Sequence, residues 1–139
     1  MDLKLRFFWT NWINFLWIFG AVYLSIIIAV LCEISTLNDL GNLLVRGFVG
    51  GLFTIFLFGF YFWIGFITIM FLLDIIFLNI NRKYLLRKLF LEWIIVSIPF
   101  IYWESKYSAW LFFVAVVAFL IAQLYRAKAI DEIITLHER

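Results

Sequence analysis

Between Arg46 and Asp74 the chain runs for 27 residues, Gly47 to Leu73, without a charged side chain. A helix rises about 1.5 Å per residue and a bilayer's hydrocarbon core is about 30 Å thick, so about 20 such residues suffice to cross it. The rest of the chain agrees: 67% of its 139 residues are hydrophobic and 14% charged, against about half and about a quarter in soluble domains. The sequence therefore describes an integral membrane protein. It reads as one unit over 1–139, since nothing resembles an interdomain linker and only one proline occurs.

Four apolar segments are expected to cross the membrane, at 12–32, 48–76, 88–103 and 109–126. An amphipathic tail over 127–139, with Ile130, Ile133, Ile134 and His137 at helical spacing, is expected to continue the fourth span as a short helix that docks on the membrane or a partner. The spans must be helices, because lipid offers no partner to backbone N–H and C=O groups and the alternation of barrel strands is missing. The fold class expected is all-α, a polytopic four-transmembrane-helix bundle. Basic residues set its orientation. Lys4 and Arg6 precede the first span, Arg82, Lys83, Arg87 and Lys88 fill the second connection, and Arg126 and Lys128 end the fourth span. The first and third connections hold only Arg46 and Lys106, beside Glu33, Asp39 and Glu104. Both termini and the middle connection are thus expected on the cytoplasmic side of a cell membrane, the bacterial inner membrane. There Arg82, Lys83, Arg87 and Lys88 would meet anionic lipid headgroups. No cleavable leader is expected, because no small-residue cleavage pattern follows the first apolar run.

The second apolar run is longer than the hydrocarbon core requires. Either it tilts strongly, or its last turns emerge into the cytoplasm and carry Asp74 to the water boundary; the second is expected. Glu92 lies one turn inside the third span, where a charge is costly unless paired or wetted. Antiparallel packing brings it toward Gln123 and Arg126 on the fourth span, and Asp74 can reach the same level from the second. The expectation is a cluster of Asp74, Glu92, Gln123 and Arg126 at the inner end of the bundle. The alternative is that each charge reaches separately to headgroups and solvent.

Close helix packing is expected at Gly47 and Gly51, a small-xxx-small pair, and along Ala115, Ala118 and Ala122. Pro99 should kink the third span, with Ser97 answering the freed carbonyl. Cys32, the only cysteine, excludes an internal disulfide and is expected to pack as a small apolar residue.

Three short stretches carry a family likeness: "FLLD" at 71–74, "LFLEWIIVSIPFIYW" at 89–103 and "IIIAVLCEISTL" at 26–37. With the four-span pattern, they resemble the voltage-sensor domain of the voltage-gated cation channel superfamily. The resemblance implies that Phe71 and Asp74 correspond to the aromatic and the acid of that family's charge-transfer centre on the second helix. It implies that Glu92 corresponds to the acid of the third helix, and Arg126 to their counter-charge. The family's fourth helix repeats Arg or Lys at every third position, whereas "WLFFVAVVAFLIAQLYRAK" has no basic residue before Arg126. One charge crossing the whole field is worth about 2.3 kcal/mol per 100 mV, so steep voltage gating is not expected. A pore domain with a filter sequence is not expected.

Enzymatic chemistry is not expected. His137 is the only histidine, which excludes a histidine-based metal cage and paired haem ligation. No phosphate-binding glycine loop occurs, and neither a cofactor nor nucleic acid is expected as a partner. Three functions compete: a channel-like or accessory subunit of an ion- or proton-handling assembly, a structural adaptor in a larger membrane complex, and a bacterial membrane effector or immunity protein. The bilayer, a protein partner or second copy, and a cation or proton are the partners these readings imply.

Overall fold

The computed structural model describes residues 3–32, 40–77 and 84–137, and every regular element among them is helical. Helix α1 (Leu3–Trp9) leads into α2 (Asn11–Cys32) through a single turn residue, Thr10. The Thr10 hydroxyl donates to the Phe7 carbonyl at 2.6 Å, and its own N–H takes the same carbonyl at 3.0 Å. A side chain that captures a preceding carbonyl in this way competes with the helical ladder and bends it.

The long uncharged run does not form one straight helix. It divides into α3 (Leu40–Val45), a π-helical turn at Arg46–Gly50, α4 (Gly51–Phe53), a second π-helical turn at Thr54–Phe58, and α5 (Phe60–Phe77). Its halves, Arg46–Leu57 and Phe62–Ile76, meet at 58°. The excess length expected to tilt or emerge is thus taken up by a bend. Gly59 permits it: a Cβ there would lie 2.2 Å from the Ile55 carbonyl oxygen and 3.0 Å from Trp63 Nε1. The π-turns leave carbonyls off the regular ladder, and side chains take some of them. The Tyr23 hydroxyl donates to the Phe48 carbonyl at 3.2 Å and Thr54 Oγ1 to the Gly50 carbonyl at 2.8 Å.

Helix α6 (Leu85–Tyr107) and helix α7 (Leu111–His137) form a tight antiparallel hairpin. Ser108 makes the turn in the left-handed conformation, φ 49°. Pro99 lies within α6 without ending it, and the buried Ser97 hydroxyl has no hydrogen-bond partner among the described residues, so it does not answer a freed carbonyl. Helix α7 is one continuous rod. Residues through His137 prolong the same helix past the expected end of the fourth span at 126. Ile130 and Ile134 are buried against Phe7, Leu89 and Ala127 of this chain.

Helix α7 is the centre of the bundle, packed chiefly on α2 and α6. Gly47 and Gly51 let the α3–α4 segment approach α2, where added Cβ atoms would meet Val30 at 3.6 Å and Tyr23 at 3.2 Å. Ala115, Ala118 and Ala122 are all buried on α7. Cys32 is exposed at the end of α2 rather than packed. The outer surface is apolar: Trp9, Leu16, Leu24, Phe53, Phe56, Ile75, Ile98 and Phe113 are among the exposed large side chains. Two helical stretches, Arg6–Cys32 and Leu111–Leu136, are long and apolar enough to cross a membrane, and the bent pair makes a third if it is one span.

Two apolar layers divide the interior. One joins Ile18, Phe66, Met70, Val96, Phe100, Ala115, Val116 and Phe119. The other joins Phe7, Leu89, Ala127, Ile130 and Ile134. Between these layers lie the buried polar side chains Thr10, Asn14, Asp74, Glu92, Gln123 and Arg126.

Candidate functional site

The turn at Thr10 and the first turn of α2 place Thr10, Asn11 and Asn14 between Phe7 and Ile18. Helix α5 places Asp74 one turn beyond Met70. Helix α6 places Glu92 between Leu89 and Val96, and α7 places Gln123 and Arg126 between Phe119 and Ala127. Spacings of three and four residues put each polar group on the same inward face as its apolar neighbours. The result is a polar layer sealed above and below by hydrocarbon.

Arg126 is its hub and is 0% exposed, with Asp74 and Glu92 each at 1%. The guanidinium spends every nitrogen inside the protein. Nη2 donates to Asp74 Oδ1 and Oδ2, both at 2.7 Å, Nη1 to Glu92 Oε1 at 3.0 Å, and Nε to the Thr10 hydroxyl at 2.9 Å. Amides complete the outer ring. Gln123 Nε2 donates to Glu92 Oε1 at 3.2 Å, Asn11 Nδ2 donates to Asp74 Oδ2, and Asn14 Nδ2 donates to Asn11 Oδ1 at 3.3 Å. One cation from α7 therefore ties together α2, α5 and α6. A lone buried charge costs several kcal/mol in real proteins, so each of the three charges requires the others at this level.

Asp74, expected at the inner water boundary, is covered by its neighbouring helices. The cause is the length of its neighbours. Helix α7 runs 11 residues past Arg126 and α1 adds a turn before Thr10, so protein surrounds the level at which the uncharged run ends. Phe71, one turn earlier on α5, does not cover the cluster. It is 42% exposed and its ring lies 5.6 Å from that of Phe8, on the outer surface. Arg87 is exposed and sits over the Tyr84 ring at 5.8 Å, while Lys88 is half-buried. Arg82 and Lys83 lie outside the described residues.

Thr10, Asn11 and Asn14 join the cluster without carrying any charge that would mark them. The available sign was "TNWIN", three polar residues within five, at the start of an apolar run. Among the described residues no group of three or more His, Cys, Asp or Glu could hold a metal ion. Two acceptor oxygens end the network with no hydrogen-bond partner, Asn14 Oδ1 and Gln123 Oε1.

No protein family, curated protein or solved structure matches this chain. Its chemistry must be argued from its own side chains.

Proposed function

We propose that this chain is a four-span membrane protein, a voltage-sensor-like bundle that serves as a channel-like or accessory subunit of an ion- or proton-handling assembly. In this reading α2, the bent α3–α5 segment, α6 and α7 are the spans and both termini face the cytoplasm of a bacterial inner membrane. The observation that carries it is the buried union of Arg126 with Asp74 and Glu92. Ionisable groups held within membrane helices are expensive to maintain and mark ion or proton pathways by default. Counted from Trp110 at about 1.5 Å per residue, Arg126 lies about 24 Å along α7, inside a core about 30 Å thick.

The arrangement of an acid on the second span and an acid on the third, both answering a basic residue on the fourth, supports the voltage-sensor likeness. Arg126 is the one basic residue in the membrane part of α7, so any voltage dependence is shallow. The layer of Ile18, Phe66, Val96, Phe100 and Phe119 lies directly beyond the cluster. It favours the accessory role over conduction through a single copy.

Reconstitution into liposomes with proton- and cation-sensitive dyes, alongside affinity purification from native-like membranes, tests the proposal. Flux that Glu92→Gln alters, or a stoichiometric ion-transport partner whose association Glu92→Gln alters, supports it. No flux and no partner, with Glu92→Gln indistinguishable from wild type, overturns it. A stoichiometric partner with no role in transport would instead establish the structural adaptor, and depolarisation with growth arrest on expression the membrane effector.

A further inference from the structure

The cluster contains two carboxylates and one guanidinium, so with both acids ionised it carries one negative charge in excess. Its hydrogen bonds show where that excess is directed. A carboxylate can only accept, so Asp74 and Glu92 dictate the orientation of the amides around them. Gln123 must present Nε2 to Glu92, and Asn11 must present Nδ2 to Asp74. Asn11 Oδ1 is then an acceptor, which forces Asn14 to present its own Nδ2. Each amide passes the polarity outward, and both chains end in bare oxygens, Gln123 Oε1 and Asn14 Oδ1.

These two oxygens belong to side chains that are 3% and 0% exposed. They also stand at one level. Thr10 bonds Arg126 across the α2–α7 interface, and antiparallel register carries Asn14, four residues on, to the level of Ala122 and Gln123. That level is one turn toward the middle of the bundle from the guanidinium. Acceptors facing an excess of negative charge require a donor or a cation. Gln123 also lines a groove of about 300 Å³ between α6 and α7, with Leu86, Arg87, Leu89 and Leu120 among its neighbours.

We propose that Asn14, Gln123 and Glu92 form a binding site for one monovalent cation, Na⁺, which supplies the positive charge that Arg126 alone does not. The few oxygens available, on short side chains within one turn, suit a small alkali ion. Both carboxylates are already engaged by the guanidinium, and among the described residues no third acid joins them in a group that could hold a divalent one. The inference deepens the ion-handling reading and rests on it for its biological meaning, but equilibrium binding tests it independently of flux.

Full-length protein in lipid nanodiscs is melted in sodium, lithium, potassium or N-methylglucamine chloride at matched ionic strength and pH. A saturable rise in Tm with Na⁺, absent with N-methylglucamine, is expected. Asn14→Leu should weaken the apparent Na⁺ affinity by roughly tenfold or more, the effect of one lost ligand. Glu92→Gln should abolish the response. Wild type melting identically in all four salts overturns the site, as do variants that respond to Na⁺ like wild type. If a variant does not fold, ²³Na relaxation on wild type decides: bound Na⁺ displaced by Li⁺ supports the site, and no bound Na⁺ refutes it. Stability that follows pH but no alkali ion assigns the excess charge to a proton and overturns the Na⁺ site. Flux without Na⁺ binding overturns only this site. Na⁺ binding without flux or partner leaves the site and overturns the ion-handling reading.

Discussion

Arg126→Met removes the hub cation and keeps most of the volume of its stem. The guanidinium nitrogens lie 2.7 Å from Asp74 and 3.0 Å from Glu92. At an effective dielectric of about 20, unit charges at such separations attract by about 6 kcal/mol per pair. Desolvation offsets much of this, so the intact cluster is worth far less than the sum. The substitution is costly for another reason: it leaves two carboxylates buried together with no cation. Removing one partner of a buried ion pair costs about 3–5 kcal/mol, and that loss is expected here. The triple variant Asp74→Asn, Glu92→Gln, Arg126→Met removes every charge while nearly keeping shape. It should recover most of the loss, because apolar or neutral replacements of whole buried ion clusters are often tolerated. Unfolding in mixed micelles by titration with a denaturing detergent, followed by tryptophan fluorescence, measures both. A change of less than about 1 kcal/mol for Arg126→Met, the behaviour of an exposed ion pair, would refute the reasoning. So would a triple variant no more stable than the single one.

Three further outcomes follow from particular contacts. Thr10→Val keeps the shape of the turn but removes the acceptor for Arg126 Nε, 2.9 Å away; a loss of about 1.5–3 kcal/mol, the worth of a hydrogen bond to a charged group, should appear in the same unfolding assay. Ile130, 1% exposed on the far part of α7, should cost about 2–5 kcal/mol as Ile130→Ala. Leu136→Ala, at a side chain 67% exposed, should change stability by no more than about 0.5 kcal/mol; equal effects would mean that the end of α7 does not pack on Phe7 and Leu89. Gly59→Ala places a methyl 2.2 Å from the Ile55 carbonyl, so a destabilisation of about 1–3 kcal/mol is expected. An unchanged melting temperature would show that the bend at that residue is not fixed.

The apolar windows made the helical character and the membrane setting legible, because both are decided locally: each window must satisfy its own backbone in lipid. The bend at Gly59 was not legible. A glycine in an apolar helix is common, and only the carbonyl of Ile55 pressing on its missing side chain distinguishes this one. The charge cluster was partly legible. Glu92 could be seen to need a partner, since its position inside an apolar run admits few alternatives, and Gln123 and Arg126 were close by in an antiparallel hairpin. The burial of Asp74 within the protein was not legible, because it depends on how far α1 and α7 extend past the end of the uncharged run. Phe71 was placed at the cluster by the voltage-sensor resemblance, yet the rotation of α5 turns it outward onto Phe8.

The residues alone determined that this chain forms helices long and apolar enough to span a membrane, since 67% of them are hydrophobic and the alternation that a barrel would need is missing. Which polar groups meet was decided by packing. Thr10 and Asn11 carry no charge and stand 116 and 63 residues from their partners Arg126 and Asp74, so no local rule joins them. Only the register of α2 against α7, set by Ile18 and Phe119 on one side and Phe7 and Ile130 on the other, brings them to one level. The energy that enforces the meeting is local, the cost of an unpaired charge in a dry interior, but its address is tertiary.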